Sequence, residues 1–180
     1  MAGAREQIAV VLIGLGGNLP GPNGGPVSET LTAALTALDE HGVHTLRRSR
    51  WYQSAPVPAA DEPWFTNAVA AVATGLAPED LLGALLAVER RLGRLRATAN
   101  AARTVDLDLL AYHDLVLERP GLRVPHPRLQ HRAFVLLPLA EVAPGWRHPG
   151  LGRTVEDLIA ALPPGSDALP EVPGETDGGP

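Results

Sequence analysis

The chain has 180 residues, 45% hydrophobic and 19% charged, which is about the length of one domain with enough apolar content to bury a core unaided. It has no cysteine, which excludes disulfides, thiolate metal sites and a cysteine nucleophile, and leaves carboxylates and histidines as the only metal ligands. A net charge of -5 argues against broad nucleic-acid binding, and the first apolar run is too short for a membrane span, so a cytoplasmic monomer without nucleic-acid or membrane partners is expected.

In chain order, the apolar run Ile8 to Ile13 predicts a buried strand that Gly14-Leu-Gly-Gly-Asn18 interrupts. A helix is expected from Val27 to His41, with Ser28 as its N-cap and Leu31, Leu35 and Leu38 on one face. Val43 to Ser54 reads as a strand ending at the Pro56-Val57-Pro58 loop, and Phe65 to Ala73 as another. Pro78 then opens the most strongly patterned helix, with acidic residues at its start and a wide leucine stripe up to Leu92. An arginine-bearing loop from Arg94 to Arg103 leads into a strand over Thr104 to Tyr112.

This β-α-β-β-α-β order predicts an α+β, ferredoxin-like fold, an antiparallel sheet with helices packed on it. A short hairpin strand near Leu115 to Leu117 and helices near Arg132 to Glu141 and Thr154 to Leu162 form a C-terminal helical extension. Residues 1–162 are expected to form a single domain, and 163–180, rich in Pro, Gly and acid, a flexible tail.

The most informative segment is Arg103-Thr-Val-Asp-Leu-Asp-Leu-Leu110. Strand alternation sends Val105, Leu107 and Leu109 to one face and Asp106 and Asp108 to the other. Two adjacent carboxylates on one face repel unless a cation lies between them, which favours a hard divalent ion such as magnesium, although two solvated aspartates on an exposed strand would look the same in isolation. All 15 basic residues are arginine, and the Arg94 to Arg103 loop brings several to this strand, a pattern suited to a metal-polyphosphate complex. His126, between two prolines, and Arg132 add cationic groups, either of which could equally be surface residues. The only two phenylalanines are Phe65 and Phe134. Together they could stack on a flat ring whose polar edge Asn67 would read, or simply pack in the core.

Gly14-Leu-Gly-Gly-Asn18, Pro63-Trp-Phe-Thr-Asn67, Arg94-Leu-Arg96, Arg103-Thr-Val-Asp-Leu-Asp-Leu-Leu110 and Val124-Pro-His126 with Arg132 and Phe134 resemble, in order, the 6-hydroxymethyl-7,8-dihydropterin pyrophosphokinase family. The resemblance implies pyrophosphoryl transfer from ATP to the hydroxymethyl pterin, giving AMP and the pterin diphosphate in folate synthesis. It implies two magnesium ions on Asp106 and Asp108, and phosphate contacts from Arg94, Arg103, His126 and Arg132, with Arg96 delivered by a closing loop. Glu89 and Leu109 match positions near the nucleotide. The pterin would lie between Phe65 and Phe134, read by Asn67, with Ser54, Pro56 and Val57 nearby.

Some positions depart from the family. Asn100-Ala101-Ala102 stands where relatives carry Trp-Gly-Pro, in a loop one residue shorter, Gly17 replaces a serine, Ala55 a proline, and Gly121 a residue that is often basic. Two other readings stay open at this stage: a pterin- or nucleotide-binding homologue with weakened catalysis, and a ferredoxin-like small-ligand regulatory module.

Overall fold

The computed structural model describes residues 10–56, 62–93, 103–166 and 168–171. Eight strands and four helices follow in the order β1 (Val11–Gly17), α1 (Val27–Asp39), β2 (Val43–Arg48), β3 (Tyr52–Ser54), β4 (Phe65–Thr74), α2 (Pro78–Arg91), β5 (Asp106–Tyr112), β6 (Leu117–Arg119), β7 (Leu122–Val124), α3 (Ala133–Val142), α4 (Val155–Ala160) and β8 (Leu169–Pro170). The main sheet runs β5-β1-β4-β3-β8, with β2 also paired to β4, and the pairings within it are antiparallel. Counting β2 and β3 as one broken strand, this is the ferredoxin-like arrangement expected from the element order.

The sheet is covered on both faces. Val11, Ile13 and Leu15 of β1, Ala68, Ala70 and Val72 of β4, and Leu107 and Leu109 of β5 pack against α1 and α2. The alternate residues Leu12, Val69, Ala71 and Leu110 pack against Leu136 and Leu139 of α3 and Leu158 of α4. Period-2 alternation therefore builds two cores from the same strands. Among the described residues, helices α3 and α4 pack on part of the second face, and the end carrying Asp106, whose side chain is 23% exposed, lies beyond them.

Several boundaries differ from the sequence reading. The glycines after Ile13 do not break β1: Gly14, Gly16 and Gly17 stay in the strand because β4 pairs with them on one side and β5 with Gly14 and Gly16 on the other. Gly17 also lies so close to the next chain segment that a Cβ would sit 2.6 Å from the Thr104 carbonyl, so a larger residue there would push the two segments apart. Ser28 is not the cap of α1, since the helix already begins at Val27 behind Pro26, whose φ of -58° suits a helix entry. The single strand expected over 43–54 is two strands. Ser49 turns the chain between them, its hydroxyl donating to the Arg50 carbonyl and accepting from the Val69 amide.

Part of the segment expected as a tail belongs to the sheet. Leu169 pairs with Gln53 and Pro170 with Tyr52, and Ala168 is buried. Among the described residues, no helix is long and apolar enough to cross a membrane.

Candidate active site

The open end of the second sheet face is built from four neighbouring strands. On β5, Asp106 and Asp108 point to this face and are half-buried, while Leu107 and Leu109 point into the α1/α2 core, as alternation predicts. Next to them β1 presents Gly14 opposite Asp108 and Gly16 opposite Asp106. Beyond lies β4, where Gly16 pairs with Asn67. Phe65, two residues earlier on β4, shares the face of Asn67, and β3 follows with Ser54.

Glycine at 16 leaves this face without a side chain opposite Asp106, whereas the Leu110 side chain packs over Gly14. A Cβ at Gly16 would stand 3.2 Å from Asn67 Oδ1, and one at Gly14 3.4 Å from the Leu110 side chain. The gap between the β5 carboxylates and the β4 amide is thus kept open by sequence. Gly16→Ala is expected to leave the fold intact and weaken binding of a flat ligand about tenfold, the lower end of what a methyl forced into a packed site costs. Unchanged affinity in a calorimetric titration would show that the slot does not run over Gly16.

Asn67 is buried, and its amide nitrogen donates to Ser54 Oγ at 2.9 Å. Ser54, also buried, therefore orients Asn67, and the amide's Oδ1 lies toward the glycine floor. Phe65 is half-buried, and Phe134 packs partly into both C-terminal core clusters. Pro56 follows β3 and is partly buried. Val57, Arg94 and Arg96, together with Asn100 to Ala102, lie outside the described residues.

The cationic side of the face is ordered by an asparagine that the sequence reading left without a role. Asn18 is 2% exposed, and its Oδ1 accepts the Arg103 amide at 2.8 Å while its own amide nitrogen donates to the Pro63 carbonyl at 3.1 Å. The backbone N–H groups of Asn18 and Leu19 both donate to the Arg103 carbonyl. One side chain thus fixes Arg103 and the entry to β4 together. The Arg103 guanidinium meets Asp106 at 2.6 Å. Only a buried amide following glycines could have hinted at this from sequence.

His126 and Arg132 flank the carboxylates from the segment after β7. The His126 amide donates to the Leu110 carbonyl at 2.8 Å, and its Nδ1 accepts the Arg128 amide at 3.2 Å. Nδ1 being an acceptor, the neutral ring carries its proton on Nε2 as a donor. Burial, then Arg132 and Arg128, push the His126 pKa down to about 4, with Asp106 opposing. Arg132 is the N-cap residue of α3, with its guanidinium 5.4 Å from the Phe134 ring centre. Burial and Arg128 lower its pKa from the ordinary arginine value, against the pull of Asp108 and Asp106. Arginine nevertheless stays protonated, so this is a costly positive charge held beside two carboxylates, an arrangement that an anion would relieve.

The His126 shift predicts a pH dependence. The unfolded chain binds the extra proton near 6.5 and the folded chain only near 4, so stability is full above about 6.5 and falls as pH drops toward 4. His126→Asn is expected to flatten part of that decline in melts of the metal-free protein, and an identical slope in both proteins would contradict it.

Glu89 sits apart from the open face. It is 2% exposed, and its Oε1 accepts the Leu107 amide at 2.7 Å. Since β5 is an edge strand, this carboxylate satisfies an amide that no neighbouring strand can reach. A cleft of about 360 Å³ runs along the same edge from Asp108, Leu109 and His126 to Leu82, Leu122, Arg119 and Gly121. Arg119 and Arg123 line it on either side of Gly121, so it carries basic groups.

For a divalent cation the donors are Asp106 and Asp108, oxygen ligands on one face; no group of three or more candidate ligands occurs among the described residues. Two carboxylates beside an open floor fit an ion that takes its remaining ligands from water and phosphate, as magnesium does.

A ferredoxin-like sheet that gathers paired carboxylates, arginines and a glycine-floored slot at one open end defines the chain as a ligand-binding α+β protein with the groups for phosphate chemistry. A family model described as 7,8-dihydro-6-hydroxymethylpterin-pyrophosphokinase matches residues 12–144, and the chain belongs to that family. It is 44% identical over 166 residues to the 2-amino-4-hydroxy-6-hydroxymethyldihydropteridine pyrophosphokinase of Pseudomonas aeruginosa, covering 91% of this chain and 99% of that protein. To the Synechocystis protein of the same name it is 40% identical over 155 residues, covering 86% of this chain and 76% of the other. A solved structure of HPPK-DHPS from Plasmodium falciparum shares the fold, with a TM-score of 0.65 at 14% identity over 87% of this chain, which spans only 44% of that longer one.

Proposed function

We propose that the protein transfers the pyrophosphoryl group of ATP to the hydroxymethyl group of 6-hydroxymethyl-7,8-dihydropterin, releasing AMP, as a step of folate synthesis. The observation that carries this reading is the joint placement of Asp106, Asp108, Arg103 and Arg132 beside a glycine-floored slot ending at Asn67. Membership in the family supplies the substrates.

The pterin lies in the slot over Gly16, between Phe65 and Phe134. Asn67, held by Ser54, offers Oδ1 to the N–H groups of the heterocycle, and Pro56 and Val57 border it. ATP lies in the cleft along β5, its base near Leu109, with Glu89 supporting the strand beneath. Its phosphates extend toward Asp108, His126 and Arg132, and the cleft volume is in the range of small-molecule sites. Asp106 and Asp108 hold two magnesium ions, which when bound offset phosphate charge and help orient the pterin hydroxyl.

The oxygen of that hydroxyl attacks the β-phosphorus, the bond from the β-phosphorus to the oxygen bridging the α-phosphate breaks, and AMP departs with that oxygen while the hydroxyl proton passes to solvent water. Neutral His126 donates from Nε2 to a phosphate oxygen, and Arg103 and Arg132 stabilise charge on the transferring group. Arg94 and Arg96 add further phosphate contacts from the segment between α2 and β5. No covalent intermediate is needed, since alignment and fixed charge supply the rate. We further infer a monomer acting in the cytoplasm, with a catalytic domain that reaches past residue 162 to include β8. Incubation with ATP, magnesium and the pterin is expected to release AMP only when the pterin is present; release of ADP, or ATP loss independent of the pterin, would overturn the reading.

A further inference from the structure

Glu141 lies away from the reacting groups, on the last turn of α3, yet its carboxylate accepts four hydrogen bonds. Oε1 accepts from Arg50 Nε at 2.8 Å, Arg50 NH2 at 2.6 Å and the Tyr52 hydroxyl at 2.5 Å, and Oε2 accepts the Arg50 amide at 3.0 Å. Arg50 belongs to the turn between β2 and β3, and Tyr52 opens β3. One carboxylate therefore ties the end of α3 to the start of β3.

The far ends of both elements reach the slot. Strand β3 ends at Ser54, which orients Asn67, and α3 begins at Ala133 behind Arg132, with Phe134 in its first turn. Tyr52 also clusters with Ala133 and Ala168, against which Phe134 packs. The tyrosine therefore touches the support of the slot through its ring and the latch through its hydroxyl.

Attachment of α3 to the sheet does not need the latch, because Leu136 and Leu139 are fully buried. Helix α3 reads Ala-Phe-Val-Leu-Leu-Pro-Leu-Ala-Glu-Val and offers almost only apolar contacts, which are non-directional and set no register along the sheet. Directional bonds fix that register, and Glu141 supplies them at this end of α3, one from Tyr52 of β3 and three from Arg50 in the turn just before it.

We propose that Glu141, with Tyr52 and Arg50, is a positioning latch that sets the distance of Phe134 from the β3–β4 wall, and so the width of the pterin slot. This rests on reading the slot as the pterin subsite. Glu141→Gln keeps the shape of the side chain but loses its charge, and Tyr52→Phe removes one arm. In Glu141→Gln the pterin Kd and KM are expected to rise about tenfold, below the ~100-fold that misplacement by an ångström can cause. The nucleotide constants should change by only about twofold, because the β5 cleft is lined from β5, β7 and the segment after it, and only Arg132, ahead of α3, links the latch helix to the phosphates. Tyr52→Phe should shift the pterin constants the same way by less.

A parallel loss for pterin and nucleotide would mean general destabilisation and would overturn the proposal, as would unchanged pterin constants in both variants. If Glu141→Gln does not fold, Tyr52→Phe decides alone by the same split. A wild-type protein that turns over normally while the variants match it defeats only the latch. A wild type that neither binds nor converts the pterin defeats the functional reading, and the latch with it.

Discussion

Asp106→Ala and Asp108→Ala are each expected to fold as the parent does and to lose at least ~10³-fold in magnesium-dependent transfer, since ion positioning and charge stabilisation together supply several kcal/mol at the transition state. The fold should survive because both side chains project from the open end of the sheet, whereas Leu107 and Leu109 between them carry the core contacts. In Asp106→Ala the Arg103 guanidinium also loses its 2.6 Å partner. That pair is partly buried, with side-chain exposures of 19% and 23%, so the melting temperature should fall measurably while the fold is kept. Turnover within a few-fold of the parent in either variant would show that the metal sits elsewhere, and circular dichroism with steady-state kinetics separates this from misfolding.

Arg103→Ala is expected to lower kcat by ~10² to 10³, the usual effect of removing a fixed donor aimed at developing charge, with little change in pterin Kd. The backbone at 103 should stay in place, because Asn18 holds it through the main-chain amide and carbonyl. The same substitution frees Asp106 from an ion pair, so apparent metal affinity should hold or rise. A variant that binds pterin poorly but turns over bound substrate normally would move Arg103 from the phosphate side of the site to the pterin side.

How far the sequence could be read depended on whether the deciding interactions were local. Helix α2 was legible because Pro78, its acidic first turn and its leucine stripe all act within one element. The Asp106/Asp108 face was legible because alternation along a strand is local too. Strand β1 past Ile13 was not: glycine lowers local strand preference, and only pairing with β4 and β5, distant in sequence, restores the strand. The same glycines, read as a break, stand in the strand opposite Asp106 and Asp108.

The polar supports were hidden for the same reason. Asn18 joins residues 45 and 85 positions away, and Glu141 reaches back 89 positions to Tyr52. No spacing rule covers such contacts. Asn67 was recognised as polar recognition chemistry, but that one of its donors is taken by Ser54 depends on the β3–β4 register. Glu89, assigned to the nucleotide by family position, has a structural duty toward Leu107 that becomes visible only once β5 is known to be an edge.

The most direct test of the central claim is phosphorus NMR of the pterin product formed from ATP in the presence of magnesium. The site described here predicts a pterin bearing two coupled phosphorus atoms, formed one for one with AMP. A pterin bearing a single phosphorus, formed with ADP, or no phosphorylated pterin at all, would contradict it.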